Sequence, residues 1–248
     1  MKGNIMKDKL KNRKQRKLNV IVKGIIILMF SVVGILTFRT LKVDLQTGEV
    51  TLPIFGGSEK QIADTSVGWN LICVNRNHYI PDNYHVELLE LSNGEKVDVR
   101  IYSELQQMFD DARACGLSLF VRDGYRTAEE QQQIMDDRIR EYENQGYSKK
   151  EAKELAEEYV ALPGTSEHQL GLSVDINADT TGSSSDAVYQ WLDANAYKYG
   201  FVKRYPSDKT DITGISNEPW HYRYVGKEAA NIMKEENLCL EEYLEKYK

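Results

Sequence analysis

GTSEHQLGLSVDINA, residues Gly164 to Ala178, sets a histidine and an aspartate seven residues apart, with Gly171 between them and an apolar alternation running through the aspartate. In a strand successive side chains point to opposite faces, so Leu172, Val174 and Ile176 share one face and Ser173, Asp175 and Asn177 the other. The apolar face explains why a strand forms here. It does not explain the carboxylate, which on a half-exposed strand can simply face water. The meaning of His168 and Asp175 depends on what else the chain brings to that face.

Around this strand the pattern alternates between helical and extended periods. WNLICVNRNHYIP, Trp69 to Pro81, reads as a strand and a turn, and VELLEL and KVDVRIY as two short strands about the turn Asn93-Gly94. The apolar spacing Leu105, Met108, Phe109, Ala112 predicts a helix from Ser103 to Cys115, ended by Gly116. LSLFVR then reads as a strand. Thr127 with Glu130, and Ser148 with Glu151, have the spacing of capping boxes and predict helices running to about Tyr142 and Val160. After the HQLGLSVDI strand, Ser185 to Tyr199 reads as a helix closed by Gly200, FVKRY and WHYRYV as strands, and Lys227 onward as two helices. Mixed order with hairpin-length connections and no internal repeat predicts an α+β domain with a small, mainly antiparallel sheet and flanking helices.

The 248 residues suit one domain with appendages, and 41 % hydrophobic with 28 % charged residues is ordinary for a globular chain. Charge is unevenly placed. Met1 to Lys17 holds eight Lys/Arg against Asp8 alone, whereas the part after Phe38 holds 23 Lys/Arg against 37 Asp/Glu. So acidic a body lacks the basic face that phosphates require, which argues against nucleic acid as a partner. Between the two parts, LNVIVKGIIILMFSVVGILTF, Leu18 to Phe38, would span about 30 Å as a helix, the thickness of a bilayer core. Lys23 can reach back to the headgroups, and the basic block before it marks the cytoplasmic side. With no A-x-A-like cleavage site after the apolar run, an uncleaved signal anchor is expected. The predicted organisation is a cytoplasmic segment 1–17, a transmembrane helix 18–38, an extracytoplasmic tether 39–66 and a folded domain 67–248. Cys73, Cys115 and Cys239 are too few for a disulfide scaffold and are expected to be buried thiols, Cys115 lying on the helical apolar stripe.

Histidine is scarce: His78, His85, His168 and His221 are the only four. In NEPWHYRYVG, His221 begins an alternating strand, and Glu218 precedes it by three residues, stiffened by Pro219. Two imidazoles and one carboxylate, with a fourth position for water, form the ligand set of a catalytic zinc, and a spare glutamate is what such a site uses to take a proton. The spacing matches neither H-E-x-x-H nor a paired-cysteine pattern, so spacing alone favours a structural role over a metal site. His78 and His85, among turn residues, read as non-ligands.

SEHQLGLSVDI resembles the S-x-H-x(6)-D signature of the VanY-type D-alanyl-D-alanine carboxypeptidases, EPWHYRYVG resembles their E-x-W-H segment, and DGYRT resembles the G-Y-R-[ST] segment that precedes both. The similarity runs from about Trp69 to Tyr247 in the same order. It implies Zn2+ held by His168, Asp175 and His221, Glu218 as catalytic base, and Arg126 as the cation that holds substrate. Gln131, Ser166, Tyr125 and Trp220 fall where substrate contacts would be useful, although a cap, a solvated helix face or core packing would account for them too. Asp123 departs from the small residue frequent before Gly-Tyr-Arg, and is expected to point outward.

The implied activity is a membrane-anchored, extracytoplasmic zinc D,D-carboxypeptidase that removes the terminal D-Ala from peptidoglycan peptides ending in D-Ala-D-Ala. An L,D-carboxypeptidase or a cross-link-cleaving endopeptidase would use the same zinc set, and an inactive wall-binding module would lack a ligand or Glu218. Service in glycopeptide resistance and in ordinary wall maturation are both compatible with the resemblance.

Overall fold

A computed structural model describes residues 60–248 and two short paired segments before them. The chain divides into two compact units, 1–57 and 58–248. In the first, β1 (Lys42–Val43) pairs antiparallel with β2 (Val50–Thr51). The basic segment and the transmembrane span expected over Leu18 to Phe38 lie outside the described residues. Among the described residues, no helix is long and apolar enough to cross a membrane.

The second unit is α+β, as the alternation of periods predicts. Its centre is an antiparallel sheet of β7 (Leu119–Asp123), β8 (Ser173–Ala178), β9 (Phe201–Lys203) and β10 (His221–Tyr224), in the order β7-β8-β10-β9. Two smaller strand pairs complete the extended structure of this unit among the described residues. β3 (Gln61–Ile62) runs parallel to β4 (His78–Tyr79), and β5 (Leu88–Glu90) forms a hairpin with β6 (Lys96–Asp98). Because Gln61–Ile62 is paired and Ala63 is buried, folded structure begins before residue 67.

β8 is the hub of the core. Leu172, Val174 and Ile176 are fully buried and pack with Val97, Ile101, Met108, Leu119, Val121, Leu170 and Leu192. Burying each such side chain contributes about 1.5–3 kcal/mol, so this face holds β8 firmly against the helices behind it. α1 (Tyr102–Ala114) presents Leu105, Met108, Phe109 and Ala112 to that core, the stripe its spacing dictates. Both capping boxes form, starting α2 (Ala128–Asn144) at Thr127/Glu130 and α3 (Lys149–Ala156) at Ser148/Glu151. α4 (Ser185–Asn195), the short α5 (Thr210–Thr213), α6 (Lys227–Glu236) and α7 (Leu240–Tyr247) follow.

Five local expectations are corrected. Trp69 to Pro81 is extended only at His78–Tyr79 and a bridge at Asn75; Leu71, Ile72 and Val74 are buried on turn and irregular backbone instead. KVDVRIY leaves the sheet after Asp98, whose side chain accepts from the Arg100 N–H and starts the 3-10 turn Val99–Ile101. α3 stops at Ala156, and Ser185 to Tyr199 changes from α-helix to a 3-10 turn at Ala196–Tyr199. Cys115 is exposed and Cys73 half-buried; only Cys239 is buried. The helix ends one residue too early for Cys115 to join the stripe: Cys115 leaves helical geometry at ψ 5°, and Gly116, at φ 82°, turns the chain so that the Leu117 N–H bonds back to the Ala112 carbonyl.

Candidate active site and metal centre

Register carries three acidic and basic groups to one row of the sheet. His221 on β10 stands directly across from Asp175 on β8, and Asp123 on β7 stands across from Asp175 on the other side. The second pairing exists because β7 slips between Val121 and Asp123, a bulge at Arg122 that re-aims the strand end. His168 arrives separately. It lies on the 3-10 turn Glu167–Leu170, which Gly171 closes at φ 70°. A Cβ at Gly171 would press on Val86 and the Asp98 backbone, so glycine serves both the left-handed turn and the close approach.

These elements bring three ligand atoms together. His168 Nε2 lies 3.4 Å and His221 Nδ1 3.0 Å from Asp175 Oδ1, and one donor atom from each of the three residues falls within 4.8 Å of the others. Two imidazole nitrogens and one carboxylate oxygen are the donor types and number of a catalytic zinc. The tautomer of His168 fits as well. Its Nδ1 is 2.6 Å from the Gly124 carbonyl, which can only accept, so Nδ1 carries the proton and Nε2 presents a lone pair. Gly124 is irreplaceable in that position, since a Cβ would sit 2.2 Å from the Lys96 carbonyl oxygen. Burial acts against charge on Asp175, yet His168 and His221 hold its carboxyl well below the usual range. Burial also works against a charged His221, but Asp175 and Glu167 raise it to about 9, the mark of a site built to receive positive charge.

Glu218 closes the site from the loop before β10. Its N–H donates to the Tyr205 carbonyl and its own carbonyl accepts from the His221 N–H, which sets its side chain 3.8 Å from His221 Nδ1. Burial pushes this carboxyl up to about 7; His221 and Arg126 oppose the shift and Asp175 adds to it. Such a group takes and returns a proton near neutral pH.

Arg126 is half-buried at the start of α2. Its Nε donates to both Asp123 oxygens at 3.0 Å, Nη1 donates to Gln131 Oε1 at 3.0 Å, and Nη2 lies 3.4 Å from Asp175 Oδ2. The expectation that Asp123 points outward is therefore corrected. The bulge sets two carboxylates opposite each other, and Arg126 between them relieves the repulsion. Three of five guanidinium N–H groups are engaged in this way, which leaves two for a further acceptor. Gln131 is buried rather than solvated, anchored by its amide to the Ala161 carbonyl, and works as a brace for Arg126. Ser166 is buried at the N-cap of the His168 turn. Tyr125 and Trp220 are half-buried and stand outside the hydrophobic clusters of the described residues, Trp220 holding the Ile176 N–H through its carbonyl. His78 contacts Asn75 and His85 is exposed; neither joins the metal group.

The sequence reading passed over Glu167, Arg204 and Arg223, all fully buried beside the site. Charged residues are usually exposed; strand alternation sets Arg223 on the face of His221, but nothing local marks Glu167 or Arg204 as buried.

Residues 94–227 match the VanY family, D-alanyl-D-alanine carboxypeptidase. The chain belongs to this family. It is 60 % identical over 176 residues to a D-alanyl-D-alanine carboxypeptidase of Enterococcus faecalis, covering 71 % of this chain and 66 % of that relative's length. Among solved structures, it is similar to VanYB in complex with D-alanine-D-alanine, with TM-score 0.72 and 58 % identity over 73 % of this chain and all of that one. It is also similar to a vancomycin-resistance D,D-pentapeptidase VanY in complex with Zn(II), with TM-score 0.70 and 59 % identity over 71 % of this chain and 99 % of that one. VanY membership and the His-Asp-His group agree on a zinc-dependent D-alanyl-D-alanine carboxypeptidase.

Proposed function

We propose that this VanY-family protein removes the terminal D-Ala from peptidoglycan peptides ending in D-Ala-D-Ala, on the outer side of a membrane to which its N-terminal apolar segment tethers it. The observation that carries the reading is the convergence of His168, Asp175 and His221 on one point, with Glu218 and Arg126 beside it.

A zinc ion held by those three groups supplies Lewis acidity, which makes water nucleophilic near neutral pH and polarises the scissile carbonyl. The remaining work falls to the chain. Glu218, raised toward neutrality by burial, takes the proton of the attacking water and returns it to the leaving amine. Arg126, fixed by Asp123 and Gln131, turns its free donors to the terminal carboxylate or to the oxyanion that develops on the carbonyl. The Gly124 carbonyl keeps the His168 ring in its ligating tautomer.

The acidic body and the basic, apolar N-terminus support the outward placement. The relation to an LD-carboxypeptidase structure is weaker, at 38 % identity and TM-score 0.62, which favours the D,D reading. Incubating residues 58–248 with muropeptides of four and five residues and weighing the products tests the proposal. Loss of one alanine from the pentapeptide alone is expected; trimming of the tetrapeptide, or cleavage within a cross-link, would overturn it.

A further inference from the structure

Below the metal centre lies a buried ionic cluster that the reaction does not use directly. Glu167 is 1 % exposed and sits between two arginines that are themselves buried. Its Oε1 accepts from Arg204 Nε and from Arg223 Nη1, both at 2.8 Å. Arg204 is held in turn by Glu241 on α7, through contacts of 2.9 and 2.6 Å, and Arg223 Nη2 donates to the Ile72 carbonyl at 2.8 Å. Two carboxylates and two guanidiniums balance in charge, as burial demands.

One atom of the cluster remains. Among the described residues, Glu167 Oε2 and His221 Nε2 are both buried without a hydrogen-bond partner, and they face each other at 3.6 Å. His221 offers its other nitrogen, Nδ1, to the metal centre. A ring that ligates through Nδ1 carries its proton on Nε2, and a buried N–H needs an acceptor. For His168 that acceptor is the Gly124 carbonyl; for His221 the group facing Nε2, among the described residues, is Glu167.

We infer that Glu167 is a positioning residue of the metal site: its Oε2 accepts the Nε2 proton of His221 and so fixes the ring in the tautomer and orientation that present Nδ1 to zinc, while Arg204 and Arg223 hold Oε1 and prevent the carboxylate from turning away. The inference rests on the zinc reading above. It explains why a glutamate, buried at considerable cost, adjoins one ligand in sequence and faces another in space.

The geometry gives the isosteric variant an unusual meaning. In Glu167→Gln both arginines still require an acceptor at the Oε1 position, so the amide oxygen must take it. The NH2 group is then left facing His221 Nε2, donor against donor. Zinc affinity, measured by chelator competition, is expected to fall tenfold or more, the usual cost of losing such a partner. Glu241→Gln supplies the control, because it weakens the same arginine cluster without touching His221: it should lower thermal stability and leave zinc affinity within about twofold. A second measurement needs no variant. With four histidines in the chain, 15N-labelled zinc-bound protein should show a ring N–H proton of His221 that is shifted downfield and exchanges slowly with water, and Glu167→Gln should abolish it.

Zinc affinity in Glu167→Gln within twofold of wild type would overturn the inference. So would an equal loss in Glu241→Gln, which would reduce Glu167 to a structural ion, or a His221 ring proton in the wild type that exchanges as fast as that of exposed His85. Absence of stoichiometric zinc from the wild-type protein would overturn the metal reading beneath it, and is distinguished from these results by the wild-type titration alone.

Discussion

Arg126 grips Asp123 through its Nε while its Nη2 reaches Asp175, so the cation beside the metal centre is aimed by a residue that one strand irregularity places there. Without the bulge at Arg122, Asp123 would be out of register with Asp175 and Arg126 would lose its anchor. Asp123→Ala is expected to leave zinc content unchanged and to lower kcat/KM by roughly tenfold, about 1.4 kcal/mol of lost positioning. Steady-state kinetics with metal analysis decides it; a change below twofold would show that Gln131 alone aims the guanidinium.

The ligand set has a direct test. His168→Ala and His221→Ala each remove one of three protein ligands and should strip most of the metal from dialysed protein while circular dichroism stays near that of the wild type. Full retention of zinc in both would refute the assignment.

Glu218→Gln separates chemistry from structure. The variant should keep its zinc and lose turnover by a hundredfold or more, the scale of a lost general base. It also makes a prediction about stability in chelator. Burial raises the Glu218 carboxyl from 4.5 to about 7, so the folded state disfavours its charge. The penalty is absent at low pH, grows as pH rises from 4.5 toward 7, and at pH 8 reaches on the order of 3 kcal/mol. Metal-free Glu218→Gln should therefore melt several degrees above metal-free wild type at pH 8 and level with it near pH 4. Equal melting at both values would show that the carboxylate is not penalised.

Glu241 has the opposite sign. Burial acts against its charge, but Arg204 holds the carboxyl below its ordinary value of 4.5. The resulting stability is present above the unfolded pKa and is lost as pH falls through the folded one. Glu241→Gln should cost a few kcal/mol at pH 7, and denaturant titrations should show that cost shrinking in acid below about pH 4. A cost that stays constant from pH 7 to pH 3 would assign it to packing instead.

The end of the substrate that is read follows from Arg126. A peptide ending in free D-Ala-D-Ala should be cut roughly a hundredfold faster than the same peptide amidated at its end, because a charge-assisted fork on the carboxylate strengthens in the transition state. Arg126→Ala should erase that preference rather than lower both rates alike. Equal cleavage of acid and amide by the wild type would point to a groove that accepts chain on both sides of the scissile bond.

The strand Ser173–Ala178 was legible in the sequence because its period-two pattern is local: Leu172, Val174 and Ile176 must find a core, and that requirement sets Asp175 on the opposite face. The capping boxes at Thr127 and Ser148 and the apolar stripe of α1 were legible for the same reason, each resting on residues within a turn of one another. Short motifs likewise singled out His168, Asp175, Glu218 and His221. Tertiary structure alone decided what depends on register and burial between distant segments. The slip in β7 turned Asp123 inward to Arg126, the early end of α1 exposed Cys115, and the packing of β10 over the His168 turn enclosed Glu167 with Arg204 and Arg223. A charged residue reads as solvated until its partners are known, and those of Glu167 lie 37 and 56 positions away.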